Sequence, residues 1–308
     1  MNVLKHLTGQ VTAVLLLAVN PCGVADLRDE PPMTSAQHWL VAEQGEVLFA
    51  HNAAAPVQIA SLTKLMTALV VLDVLGAEAN WVQQRVSVSN LAATLPGTSA
   101  QLETGDRLTV EALLYGLLLP SGNDAATALA EAVGKRLDAD GQNYLQRFIA
   151  RMNLHAVALD MRDTKFVDVH GMGENISTAQ DLLRLSTAVL QHDYLRRVVG
   201  AKEYRAEIRS NRGGVREPVW RNTNELLGEF YGVKTGHTNI AGGCLVLVGD
   251  HSGRERIVIV LNAANQRLRF MDAYNLYQWS FNATPRRDKQ SGEGHQVNPA
   301  DFRPSENP

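Results

Sequence analysis

The chain has 308 residues, enough for one large domain or two modest ones. Hydrophobic residues make up 45% and charged residues 20%, the balance of an ordinary globular protein, so most of the chain is expected to fold. A formal net charge of −3 without any basic block excludes the electrostatic footprint of a nucleic-acid partner.

The N-terminus reads as a targeting segment. Lys5 and His6 precede the apolar run Val11–Val19, and Gly23-Val24-Ala25 supplies the small residues of a cleavage site. The run is short for a membrane span. Residues 1–25 are therefore expected to be a signal peptide, residues 26–282 the folded domain, and the location periplasmic. Cleavage after Ala25 would remove Cys22 and leave Cys244 alone, with no intramolecular disulfide. Lipidation of Cys22 is the other reading, although Asn20-Pro21 are not the small residues that processing needs. Cys244 falls in an apolar strand-like run and is expected to be a buried structural thiol.

His38–Ala55 alternates apolar and polar residues around Gln44-Gly45-Glu46, a β-hairpin pattern. Ile59–Gly76 is apolar nearly all round, which predicts a central helix stopping at Gly76. A loop-rich stretch at Leu95–Asp106 follows. Thr109–Gly134 reads as two helices broken at Pro120-Ser121-Gly122-Asn123. Further helices are expected at Tyr144–Leu154 and at Thr178–Leu190, the latter capped by Ser177. Strand character returns on either side of Asn211-Arg212-Gly213-Gly214, a turn composition. It continues through Tyr231–Thr238 and into two apolar strands joined by His251-Ser252-Gly253-Arg254. Arg267–Phe281 closes as a helix, and residues 283–308 form a polar tail expected to be disordered, without the apolar face of a membrane anchor. Strands at both ends and helices between them predict an α+β fold with one antiparallel sheet beside a helical cluster.

The chemistry is carried by polar residues inside these apolar surroundings. Ser61 and Lys64 are three apart and share one face of the opening helical turn. Serine becomes a competent nucleophile when a neighbour takes its proton, and a lysine whose pKa is lowered can do so. The helix N-terminus suits a developing oxyanion. Alone, such a pair reads better as an N-capping serine and a solvated lysine. Ser121-Gly122-Asn123 stands at a helix break, and Lys234-Thr235-Gly236, followed by His237, lies inside a strand pattern where a glycine admits close approach of a substrate backbone. In that order, the three motifs match the set of β-lactamases and penicillin-binding proteins.

The chain resembles the low-molecular-mass penicillin-binding proteins, the serine D,D-peptidases of peptidoglycan. The likeness extends over roughly residues 39–281 through IASLTKLMTALVVLD, LLLPSGNDAA, FVDVHGMGENISTAQDL, WRNTNELL and VKTGHTNIAGGCLV. It implies the serine β-lactamase/transpeptidase-like fold, with a five-stranded antiparallel sheet. It also implies that Ser61 is the acylated nucleophile, Lys64 its base and Ser121 a proton relay. Asn123 would orient the substrate amide, Lys234 supply positive potential, and Thr235 and Gly236 receive the terminal carboxylate and backbone. The N–H groups of Ser61 and His237 would form the oxyanion hole. The implied substrates are peptidoglycan stem peptides, with β-lactams as covalent inhibitors. TNIAGGC resembles the single-domain D,D-endopeptidase branch, whereas the SGN motif resembles the carboxypeptidases. A class A β-lactamase would carry Ser-Asp-Asn and a deacylating glutamate, and Glu174 lies in a peptidase-like segment instead. A silent β-lactam or muropeptide sensor would not need the intact motifs.

Among nine histidines no H-E-x-x-H pattern occurs, and no Gly-rich nucleotide loop is present, so no metal or cofactor is expected. His170 is expected to shape a loop, and His51, His155 and His192 to lie on the surface.

Overall fold

The computed structural model describes residues 30–137 and 143–283. The expected signal segment, Cys22 and residues 284–308 of the tail lie outside the described residues.

Five strands form the central sheet: β1 (His38–Glu43), β2 (Glu46–His51), β3 (Gly232–Thr238), β4 (Gly242–His251) and β5 (Arg254–Ala263). Their order is β3-β4-β5-β1-β2 and every pairing is antiparallel. Two hairpins from opposite ends of the chain meet where β1 pairs with β5, in the register Trp39 to Val260 and Leu40 to Ile259. Both tight turns are built from residues with positive φ, Gln44-Gly45 and Ser252-Gly253. This is the backbone that matches the twist of the flanking strands. The α+β expectation and the five-stranded sheet are both met.

The sheet is covered on both faces, so its inner strands are almost continuously apolar. Val41, Leu245, Leu247, Val258 and Val260 face Phe270, Ala273, Leu276 and Tyr277 of α8 (Leu268–Ser280). Leu40, Val246, Val248, Ile259 and Leu261 face the helical layer. At its centre runs α1 (Thr63–Leu75), with ten of its thirteen residues buried. Around it stand α2 (Asn90–Ala93), α3 (Val110–Leu118), α4 (Asn123–Leu137), α5 (Tyr144–Ala158), α6 (Ala179–Gln191) and α7 (Asp193–Gly200). Pro120 lacks the N–H to continue α3. Gly122 N donates instead to Gly116 O at 2.9 Å and its carbonyl opens α4. The stretch around the Asn211–Gly214 turn pairs in two short ladders, Glu203–Arg205 with Val219–Arg221 and Ile208–Arg209 with Val215–Arg216.

Two expectations need correction. The cap of α6 is Thr178, whose hydroxyl accepts from Asp181 N at 3.0 Å, because Ser177 is engaged in a short ladder with Val57. His155 is buried rather than on the surface. With Phe148, Met152 and Ala156 it forms the inner stripe of α5, and its Nε2 lies 3.1 Å from Asp73 Oδ2. Arg151 meets the same oxygen at 2.6 Å. Burial pushes the Asp73 carboxyl upward, but these two bases outweigh it and lower its pKa to about 2. His51 and His192 are exposed and Cys244 is buried, as expected.

The segment leading into β1 is fastened to α8 by one carboxylate. Asp272 accepts from Ser35 N, Ser35 Oγ and Ala36 N, with the last two contacts at 2.7 and 2.9 Å. Asp272→Ala strands three donors and should cost about 2–3 kcal/mol. A urea melt in which the variant unfolds with wild-type stability would contradict this account.

Candidate active site

Ser61 does not stand in the α-helix proper. It occupies a single 3-10 turn, Ala60–Leu62, that leads into α1. Ala60 has φ +46°, the left-handed region, a strained conformation for a residue with a side chain. Thr63 Oγ1 holds the turn by donating to Ala60 O at 2.8 Å. Ser61 is partly accessible, whereas Lys64, one turn on, is fully buried.

The Lys64 amine has three partners: Ser61 Oγ at 2.9 Å, Asn123 Oδ1 at 2.8 Å and His170 O at 2.7 Å. Burial lowers its pKa to about 7, against the opposing pull of Asp168 and Asp124. A neutral amine has two N–H donors and one lone pair. Two of its partners, an amide oxygen and a backbone carbonyl, can only accept. The lone pair is thereby left for the Ser61 hydroxyl, the one partner with a proton to give.

Each partner is fixed by its own frame. Asn123 opens α4, its N–H bonded to Thr98 O at 2.8 Å and its Nδ2 to Pro96 O at 2.8 Å. The buried Asp124 beside it gathers the 98–102 loop through Ser99 Oγ, Ala100 N and Leu102 N. The His170 carbonyl is presented by a loop folded around Asp168, which accepts from the N–H groups of His170, Gly171 and Gly173. Burial opposes ionisation of Asp168, but the His170 charge and these N–H groups hold its carboxyl below the usual range. Asn175 ties the loop to the Ser61 turn. Its Oδ1 accepts from Val167 N at 2.6 Å, and its Nδ2 donates to Thr63 Oγ1 at 3.0 Å. His170 thus acts on the site through its backbone.

Ser121 lies between α3 and α4 with φ +65°. Its Oγ is buried and has no partner among the described residues. The left-handed region is a strained conformation for a serine.

β3 forms the far side. A methyl group on Gly236 would lie 3.0 Å from Ile59 O and 3.1 Å from Ser61 N, so the strand abuts the Ser61 turn there. Lys234 is buried and donates to Thr235 O at 3.0 Å. Burial first, then the charges of Lys64 and Arg269, hold its amine well below the usual lysine range. Thr235 Oγ1 is 2.6 Å from Thr223 Oγ1. His237 is exposed, with Nδ1 3.1 Å from Gly242 O.

The fold therefore brings the three motifs together: Asn123 bonds the Lys64 amine, and Gly236 abuts Ser61. Sequence reasoning missed Asp168, Asn175, Thr223 and Arg269. Arg269, buried on α8, donates to Gly236 O at 2.9 Å and places a guanidinium beside β3. Its only sequence trace is a charge at an otherwise inward position of the closing helix. Glu174 is exposed.

A family model described as D-alanyl-D-alanine carboxypeptidase (Peptidase_S11) matches residues 26–265. The chain is 36% identical over 229 residues to a D-alanyl-D-alanine carboxypeptidase of Streptomyces sp. (strain K15), covering 72% of this chain and 78% of the relative. It is 32% identical over 247 residues to the D-alanyl-D-alanine endopeptidase of Pseudomonas aeruginosa, covering 78% and 75%. The crystal structure of the Streptomyces K15 DD-transpeptidase superposes with a TM-score of 0.75 at 31% identity, over 82% of this chain and 99% of that one. Other matched carboxypeptidases are longer, and the chain spans 60% of the length of DacF from Bacillus subtilis.

Gly171 joins the Asp168 loop to the Ser61 turn. Its φ is +92°, and a methyl group there would fall 2.0 Å from Ala60 O and 2.8 Å from Ser61 N. Gly171→Ala should therefore lose about 2–4 kcal/mol of stability and slow any reaction at Ser61. Wild-type values for both the melting temperature and Ser61 reactivity would refute this packing.

Proposed function

The chain belongs to the D-alanyl-D-alanine carboxypeptidase family, peptidase S11, and on that premise we propose how its residues perform a serine D,D-peptidase reaction. The substrates are D-Ala-containing stem peptides of peptidoglycan, and β-lactams are covalent inhibitors. The observation that carries the reading is the Lys64 amine, lowered to about 7 and 2.9 Å from Ser61 Oγ.

Neutral Lys64 takes the hydroxyl proton as Ser61 Oγ attacks the carbonyl carbon of the D-Ala peptide bond. The backbone N–H groups of Ser61 and His237 hold the developing oxyanion, an interaction that gains strength in the transition state. Asn123 orients the substrate amide. Ser121, whose hydroxyl is otherwise unpaired, passes the proton from Lys64 towards the leaving nitrogen. The carbon–nitrogen bond breaks, the amine leaves with that proton, and Ser61 carries the acyl group. Water, deprotonated at Lys64, then releases the shortened peptide and restores the serine.

The terminal carboxylate is received by Thr235, Lys234 and Arg269. Arg269 keeps its charge at any working pH. An arriving carboxylate favours the charged form of Lys234, so that lysine gains its proton as substrate docks. Gly236 leaves room for the substrate backbone against β3. Both a carboxypeptidase and an endopeptidase are among the relatives, and the two reactions share this chemistry, differing in the amine that leaves.

Residues 26–282 act as the catalytic domain in the periplasm, behind an export signal of residues 1–25. The family match starting at residue 26 supports this division. Among the described residues no helix is long and apolar enough to cross a membrane.

The test uses residues 26–308 with a pentapeptide muropeptide and a D,D-cross-linked dimer, products being read by mass spectrometry. Ser61→Ala should lower turnover of either substrate by about 10^4-fold and abolish labelling by penicillin. Labelling that survives in this variant would exclude Ser61 as nucleophile. The acylation rate should also report Lys64. The amine becomes neutral as pH rises through about 7. The rate should then climb about tenfold per unit below that pH and level off above it. A rate flat from pH 5.5 to 8.5 would remove Lys64 as the base.

A further inference from the structure

Met172 has no part in the chemistry above, yet it touches it. Its residue is 46% exposed, and its Sδ lies 2.9 Å from Asn123 Nδ2. The rest of the Asn123 side chain is committed. Oδ1 accepts from Lys64, and Nδ2 also donates to Pro96 O. The thioether therefore takes the one amide proton that remains. Sulfur is a weak acceptor, so this proton exchanges readily to a carbonyl oxygen. Gly97 borders the contact on one side: a methyl group there would stand 2.7 Å from Asn123 Nδ2 and 3.3 Å from Met172 Sδ. The backbone of Met172 is held too, its N–H donating to His170 Nδ1 at 3.3 Å.

We propose that Met172 is an oxidation-sensitive guard of the position that Asn123 offers to the substrate amide, and that its sulfoxide slows acylation of Ser61. The proposal rests on the roles given above to Ser61, Lys64 and Asn123. The oxidant is a peroxide. A sulfur lone pair attacks one peroxide oxygen, the S–O bond forms and the O–O bond breaks. Sulfur loses two electrons, and when the oxidant is hydrogen peroxide the proton of the attacked oxygen passes to the departing hydroxide, which leaves as water. The product carries a strongly accepting oxygen where a weakly accepting sulfur stood. That oxygen binds the Asn123 N–H, and substrate must displace it. The modification is reversible by methionine sulfoxide reductases.

Exposure divides the methionines, and Met172 falls on the open side. Met66, Met152 and Met161 are 2% exposed or less. Met33 and Met271 are open at 99% and 58%, but they precede β1 and lie on α8, so they serve as internal controls.

The experiment treats residues 26–308 and the Met172→Leu variant with hydrogen peroxide and maps added oxygen by peptide mass spectrometry. The acylation rate with a fluorescent penicillin is then compared before and after, each protein against its own untreated rate. Wild type should slow about tenfold as Met172 is oxidised, the worth of one good hydrogen bond. Reductase should restore the rate, and Met172→Leu should keep its own rate although Met33 and Met271 are oxidised. Full oxidation of Met172 with an unchanged rate overturns the proposal. So does an equal loss in Met172→Leu, or oxygen uptake at the buried methionines ahead of Met172. Failure of untreated wild type to be acylated would instead overturn the site assignment, and this inference with it.

Discussion

The structure is organised around one buried nitrogen. Removing a lysine from water disfavours its charge, and without compensation the cost would be several kcal/mol. Here the cost becomes the mechanism, because the amine settles near neutrality with its pKa lowered to about 7. Its partners decide what neutrality is used for. Asn123 Oδ1 and His170 O can only accept, so the lone pair is directed at the Ser61 hydroxyl. A second hydroxyl or amide donor in place of either acceptor would compete for that lone pair. The apolar burial of α1 is thus electrostatic as well as mechanical: it lowers the pKa of the Lys64 amine that the helix carries.

Holding three partners on one atom requires segments that are far apart in sequence to approach within contact distance, and the chain stores strain where they meet. Ala60 and Ser121 both adopt positive φ without being glycine. Gly171 and Gly236 supply the complementary economy of space, one against Ala60 O and the other against Ser61 N. Strain of this kind persists only when the surroundings over-determine it. Asp168 and Asn175 do so on one side, by binding the 165–175 loop to itself and to Thr63. Asp124 does so on the other, by binding the 98–102 loop to the start of α4. These carboxylates and amides do no chemistry, but they determine where the carbonyl of His170 and the amide of Asn123 point.

Much of this was legible in the sequence, for reasons that differ from residue to residue. The Gln44-Gly45 and Ser252-Gly253 turns announce their hairpins because few residues tolerate positive φ. Ser61, Lys64, Ser121 and Asn123 stand out because they are polar residues in apolar surroundings. Asp168 and Asn175 are silent in the sequence, since an aspartate and an asparagine in a loop usually make local turns. Their reach to the nucleophile turn is a tertiary fact. Thr178 displaced Ser177 as the cap of α6 because Ser177 was already paired with Val57. The burial of His155 was present in the spacing of Phe148, Met152 and Ala156, and the polar ring obscured it. Lys234 is the subtler case. Its position on the strand was readable, but its charge state depends on Lys64 and Arg269, which the sequence places far away.

That last group explains how a cleft crowded with bases can accept an anion and still keep a neutral base. Three cationic groups at full charge would repel one another and would hold Lys64 protonated only at great cost. Burial relieves the conflict by lowering both lysines, while the guanidinium of Arg269 remains ionised. In the proposed reaction an incoming carboxylate favours a charged Lys234 on β3, and that charge in turn disfavours protonation of Lys64, because the two amines repel each other. The chemical centre is consequently built from buried contacts that tolerate little change.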